Sequence, residues 1–227
     1  MPRGIVAIGG QGFDPKLVLY VLGQARSQAS SSRRRVCFIG TASGDTPENI
    51  VNFYRAYAAP GTEVTHLELF NRRVDDIAGL LGAQDAIYVG GGNTANMLAV
   101  WRAHGVDAAL REAYEGGTLL AGSSAGCICW FEASITDSFT LELGPLRDGL
   151  GWVEGSACPH YDSEPRRRPV YTAAVRDGLP PGIALEDGVA ARYADEQLAE
   201  IVSALPGARA FRVDGSGEHE LPVRALS

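Results

Sequence analysis

Lysine is nearly absent from this sequence: Lys16 stands alone among 20 lysine and arginine residues, a bias that follows base composition more readily than function. A basic face is lacking as well. The 27 acidic residues leave a net charge of −7, which argues against a nucleic-acid partner, whose phosphates need positive charge. Cysteine is scarce, and Cys37, Cys127, Cys129 and Cys158 form no CxxC pair; Cys127 and Cys129 are too close for an easy disulfide, so a reducing cytoplasm is the expected compartment. No apolar run is long. The first, over residues 4–8 before Gly9-Gly10-Gln11, is too short for a signal-peptide core or a membrane span, and no membrane partner is expected. There is no repeat and no long linker, and residues 30–35 read as a solvated loop. What remains is an ordinary globular composition, 45% hydrophobic and 21% charged over 227 residues, enough for one sizeable core and read as a single domain over 1–227.

Short apolar runs alternate with amphipathic helical stretches, the pattern of strands and helices around a parallel sheet. Strands are expected at 4–8, 36–39, 64–70, 86–89, 118–121 and 155–159. Helices are expected after Asp14-Pro15 and Thr46-Pro47, over 74–81, from Asn93 to Gly105, over 106–115 and over 165–175, where proline, capping side chains and glycine mark the ends. From about 183 the chain reads as mostly β. There Asp187-Gly188, between apolar runs at 183–186 and 189–193, gives a hairpin signal, and 208–213 and 220–223 are further strands.

Gly122-Ser123-Ser124-Ala125-Gly126 fits G-x-S-x-G between a predicted strand and a predicted helix. Small flanking residues permit a sharp turn that presents the central hydroxyl, so Ser124 is the candidate nucleophile and the Ala125 amide a candidate oxyanion donor. Gly90-Gly91-Gly92-Asn93-Thr94 ends another strand, where Gly91 or Gly92 can supply the second donor. Asn93 or Thr94 caps the next helix, and both stand among the candidate substrate-binding residues. A serine nucleophile needs a base. His66, His104 and His219 have ordinary structural or solvated settings, whereas His160 follows Cys158-Pro159 at a strand end, where sites assemble in α/β sheets. For the carboxylate that orients the imidazole, Asp137 in Thr136-Asp137-Ser138 comes first, with Glu186 and Asp187 as alternatives. His160, Asp162 and the scattered cysteines are too sparse for a metal site, and no cofactor is expected. Arg166, Arg167 and Arg168 follow His160 closely and open a helix; one or two of them can face a substrate carboxylate and favour acidic peptides.

These motifs, in this order and spacing from about residue 4 to 195, resemble the peptidase E family of serine peptidases, the aspartyl dipeptidases, and more distantly cyanophycinase and the class I glutamine amidotransferases. The resemblance implies a flavodoxin-like α/β fold, a mostly parallel sheet with helices on both faces and a β-rich C-terminal portion. It also implies Ser124 as nucleophile, His160 as base and Asp137 at the position of the family's proposed triad carboxylate; cyanophycinase-like members place an acid near Glu186 and Asp187 instead. The segments 144–150 and 158–162 look like a bacterial peptidase E-like subgroup. Amidotransferases carry cysteine where this chain has Ser124. The expected function is therefore a serine exopeptidase, a dipeptidase acting on short peptides after an N-terminal aspartate. Two other readings stay open: a small ester or amide hydrolase, and a catalytically silent small-molecule-binding module of the same fold. Assembly as a homodimer is also left open.

Overall fold

The computed structural model describes residues 3–25 and 33–227. Strand β1 (Gly4–Ile8) buries Ile5 and Ala7 on one core and Val6 and Ile8 on another, so it is covered on both faces, as a parallel sheet requires. Helix α1 (Pro15–Gln24) starts where Asp14 accepts from the Lys16 amide and proline occupies the first turn. Then come β2 (Arg34–Ile39), α2 (Pro47–Tyr57), β3 (Thr62–Leu67), α3 (Ile77–Gly82), β4 (Ala86–Val89), α4 (Thr94–His104), α5 (Val106–Glu115) and β5 (Leu119–Ser123). A short helix α6 (Ala125–Ile128) leads to β6 (Phe131–Thr136), β7 (Gly144–Leu146), β8 (Val153–Cys158) and α7 (Arg167–Arg176). The chain ends in strands β9 (Gly182–Leu185), β10 (Val189–Ala194), β11 (Gln197–Ser203), β12 (Ala210–Asp214), β13 (Gly217–Leu221) and β14 (Arg224–Ala225).

Two sheets form. The larger runs β14-β11-β10-β1-β5-β4-β2-β3 and is parallel from β1 through β3, with β10 antiparallel to β1. The smaller runs β13-β12-β9-β8-β6-β7, parallel only from β9 through β6. Right-handed crossovers put helices on opposite faces when the chain changes direction along a sheet. Accordingly α1 and α2, on the way from β1 out to β3, pack on one face, and α3, α4 and α5, on the way back to β5, pack on the other. That second face also meets the smaller sheet through Ala157, Ile183 and Leu185, while α7 covers the smaller sheet's outer side through Tyr171 and Val175.

The expected α/β architecture is present, with four departures. The stretch at 30–35 begins outside the described residues, and its last two, Arg34 and Arg35, already belong to β2. The helix expected at 74–81 begins at Ile77, because Asp76 takes the Gly79 amide and caps it there. Strands β6 and β7 are not among those expected, and with β8, β9, β12 and β13 they build a second sheet. The Asp187-Gly188 turn forms, closed by Val189 N donating to Glu186 O at 3.2 Å, but it is not a hairpin: β9 pairs with β8 and β12, and β10 with β1 and β11.

Asp45 fixes the loop after β2 to the end of β3. Its buried carboxylate accepts from the amides of Leu69 at 2.5 Å and Phe70 at 3.0 Å. Asp45→Ala leaves both amides without that acceptor and is expected to cost about 2–3 kcal/mol. The shift of the urea unfolding midpoint measures it.

Candidate active site

Ser124 stands between β5 and α6 with φ 58° and ψ −113°, a conformation rarely taken by a residue with a side chain. The sequence permits it by keeping its surroundings small. A Cβ at Gly126 would lie 2.1 Å from the Val89 carbonyl oxygen, so the turn can fold against β4 only with glycine there. Gly91 comes close to Ser124; a Cβ on it would stand 3.1 Å from the Ser124 Cβ. Among the described residues the amides of Gly91 and Gly92, after β4, and of Ala125, after β5, donate to no acceptor, so all three expected oxyanion donors are unpaired.

His160 follows β8 and also has positive φ, 54°. Its Nδ1 lies 2.8 Å from Asp187 Oδ1, both side chains mostly buried. A carboxylate only accepts, so the ring carries its proton on Nδ1 and leaves Nε2 as the acceptor. Strand register brings the two segments together. β8 and β9 run parallel with Cys158 opposite Ala184, so the residues just past their carboxyl ends, His160 and Asp187, emerge side by side. Three further bonds gather the segments at the end of β1: Ser124 N donates to Ile8 O (3.2 Å), His160 N to Gly9 O (3.1 Å) and Gly188 N to Gly10 O (3.1 Å). Asp162 Oδ1 accepts from the Asp187 amide at 2.8 Å.

The expected orienting acid is corrected by this geometry. Asp137 is exposed just beyond β6, without a hydrogen bond to His160, and the carboxylate on the imidazole is Asp187. Glu186 points the other way, buried against Arg209, whose backbone amide and guanidinium both donate to it. The Thr136-Asp137-Ser138 motif has a different structural use: Ser138 Oγ accepts from the Thr94 amide at 2.9 Å, and Asn93 Nδ2 donates to Ser138 O at 2.9 Å. Asn93 Oδ1 caps α4 through the Asn96 amide and Thr94 is buried, so both candidate substrate contacts are occupied within the fold.

The arginine cluster is corrected as well. Arg166 pairs with Glu142; Arg167 is buried, donating to Glu164 and to Ile135 O; Arg168 pairs with Glu218 and lies over the Phe211 ring. Each guanidinium has a carboxylate partner within the chain, and the Arg166–Glu142 pair is exposed. Cysteine offers no rival nucleophile here, because burial pushes the Cys158 thiol up to about 12 and Cys127 further, keeping both protonated.

Gly10 is the site residue that the sequence reading passed over. A Cβ there would fall 1.9 Å from Asp187 Oδ1 and 2.7 Å from His160 Nδ1, inside their hydrogen bond. The available signal was a glycine pair directly after the first strand, at the sheet's carboxyl end.

A half-buried elbow serine, amides without acceptors and a His–Asp pair at the carboxyl ends of parallel strands make an arrangement suited to acyl transfer, and the family that the chain matches is one of peptidases. The model of peptidase family S51 matches residues 5–201, and the chain belongs to that family. It is 42% identical to the uncharacterized peptidase YgaJ of Bacillus subtilis (strain 168), over 99% of both chains, and 31% identical to Peptidase E of Shewanella denitrificans over 47% of this chain and 49% of that one. Its fold is similar to the crystal structure of a peptidase from an acI-B1 Actinobacterium, with a TM-score of 0.73 at 19% identity over 98% and 95% of the two chains. It is also similar to a putative peptidase E protein from Listeria monocytogenes EGD-e, with a TM-score of 0.64 at 20% identity over 88% and 98%.

Gly10→Ala tests the imidazole pair without removing either partner. Gly10 has no positive φ, so its backbone accepts alanine, and the methyl displaces the Asp187 carboxylate. The variant is expected to fold and to lose about 10²–10⁴-fold in peptidase kcat, the scale of a mispositioned triad acid. Circular dichroism and steady-state kinetics on the same preparation check it.

Proposed function

We propose that the chain hydrolyses short peptides as a serine peptidase, with Ser124 as nucleophile, His160 as general base and then acid, and Asp187 as the carboxylate that orients the ring. The observation that carries this reading is the 2.8 Å His160–Asp187 pair beside the end of β1 that also anchors the Ser124 elbow. Ser124 Oγ attacks the peptide carbonyl as its proton passes to His160 Nε2, and the developing oxyanion is held by the amides of Ala125 and of Gly91 or Gly92. The C–N bond then breaks, and the leaving amine takes that proton from the imidazolium. Water, deprotonated by the same ring, hydrolyses the acyl-enzyme ester. Asp187 stabilises the imidazolium and holds its tautomer. Resemblance to the peptidase E dipeptidases supports short peptides as substrates, and the four cysteines, all free and buried, support residence in a reducing compartment.

Ser124→Ala is expected to fold normally and to lose at least about 10³-fold in kcat, and a serine-directed phosphonate is expected to label wild type at Ser124 by mass spectrometry. A label on Ser123, or full activity in Ser124→Ala, overturns the assignment.

Aspartate selectivity is detached from the arginine cluster, whose members are internally paired. The ratio of kcat/KM for Asp-Leu and Asn-Leu dipeptides is therefore expected to be unchanged in Arg166→Ala and Arg168→Ala. A threefold or larger change in either variant contradicts this.

A further inference from the structure

Resting on the reading of His160 as the base, we propose that Asp162 is a positioning residue that fixes the carboxylate on which His160 depends. Asp162 lies two residues after His160, and its Oδ1 accepts from the Asp187 backbone amide at 2.8 Å, while Asp187 Oδ1 lies 2.8 Å from His160 Nδ1. The two hydrogen bonds close a ring: the His160 segment holds the backbone of the residue whose side chain holds the His160 ring. Tyr161 N donates to Leu185 O at 3.1 Å and extends the same pairing one step back.

Other bonds on the turn do not replace this one. Gly188 N is tied to Gly10 O and Val189 N to Glu186 O, but the Asp187 amide has only Asp162 as acceptor among the described residues. Rotation of the peptide between Glu186 and Asp187 would swing the Asp187 carboxylate relative to the ring, and a displacement of about 1 Å at a catalytic group can cost about 10²-fold. Asp162 itself is exposed, so its contribution lies in this bond rather than in buried packing. The role also accounts for the acidic residue in Pro159-His160-Tyr161-Asp162, which the reaction itself leaves unused.

The test compares Asp162→Ala, Asp162→Ser and Asp162→Asn by steady-state kinetics on a dipeptide, with urea unfolding of each. Asparagine keeps an oxygen that accepts the amide, whereas alanine lacks one and serine is too short to reach it. The expected result is a 10- to 100-fold loss of kcat with KM changed less than threefold in the alanine and serine variants, and activity within threefold of wild type in Asp162→Asn. Unfolding midpoints are expected to match wild type, and the serine variant decides the matter if alanine does not fold. Wild-type kcat in Asp162→Ser, or an Asp162→Asn variant as impaired as it, overturns the proposal. Hydrolysis that survives both Ser124→Ala and His160→Ala overturns the Ser124–His160 mechanism and this inference with it; hydrolysis lost in those two but intact in Asp162→Ser overturns this inference alone.

Discussion

The carboxyl end of β1 is the fixed point of the site. Three consecutive carbonyls, those of Ile8, Gly9 and Gly10, accept the amides of Ser124, His160 and Gly188, while Gly9 N donates to Val189 O. Segments separated by many residues in the chain are thereby referenced to one stretch of backbone. β1 lies inside the larger sheet, between β5 and β10, and its residues 5–8 are fully buried. Backbone bonds to such a strand have few alternatives, since a buried amide or carbonyl without a partner is costly. The relation between elbow and imidazole is thus set by the main chain before any side chain contributes.

This anchoring also offsets local strain. Ser124 and His160 both have positive φ, and each such residue costs about 1–3 kcal/mol. Both sit immediately beyond a buried strand and both donate their amides to the β1 end, so relaxing either one would break a bond in the core. Gly126 against the Val89 carbonyl closes the elbow from below. Two of the non-glycine residues with positive φ are those proposed to react, and they are held by a fully buried strand of the sheet.

Much of the first sheet was legible because its evidence is local. Strands buried on both faces read as continuous apolar runs, and Asp14-Pro15, Asn93 and Gly105 mark helix ends whatever lies around them. The elbow was legible for the same reason, since small residues around Ser124 are needed by the turn itself. The orienting acid was not. β8 lies between β6 and β9 and runs parallel to both, so Asp137 and Asp187 each follow a strand beside the one that leads to His160, and only the side-chain contact of the folded chain decides which one meets the ring. The turn at Asp187-Gly188 was readable, but its signal carries nothing about the sheets its flanking strands enter. The arginines failed similarly: Glu142 and Glu218, distant in sequence, neutralise Arg166 and Arg168, and the adjacency of three cations says nothing about partners brought by the fold.

The second sheet therefore completes the site. β5, in the larger sheet, delivers Ser124, with Ser123 in register opposite Ile8. β8 and β9, in the smaller sheet, deliver His160 and the turn bearing Asp187. That turn then carries the chain across to β10, which lies antiparallel beside β1. The crossing from one sheet to the other brings the carboxylate to the strand end that already holds the serine. In open α/β sheets, sites form beyond the carboxyl ends of parallel strands. Here two such sets of strand ends converge, and the glycine at position 10 leaves the space in which their side chains meet.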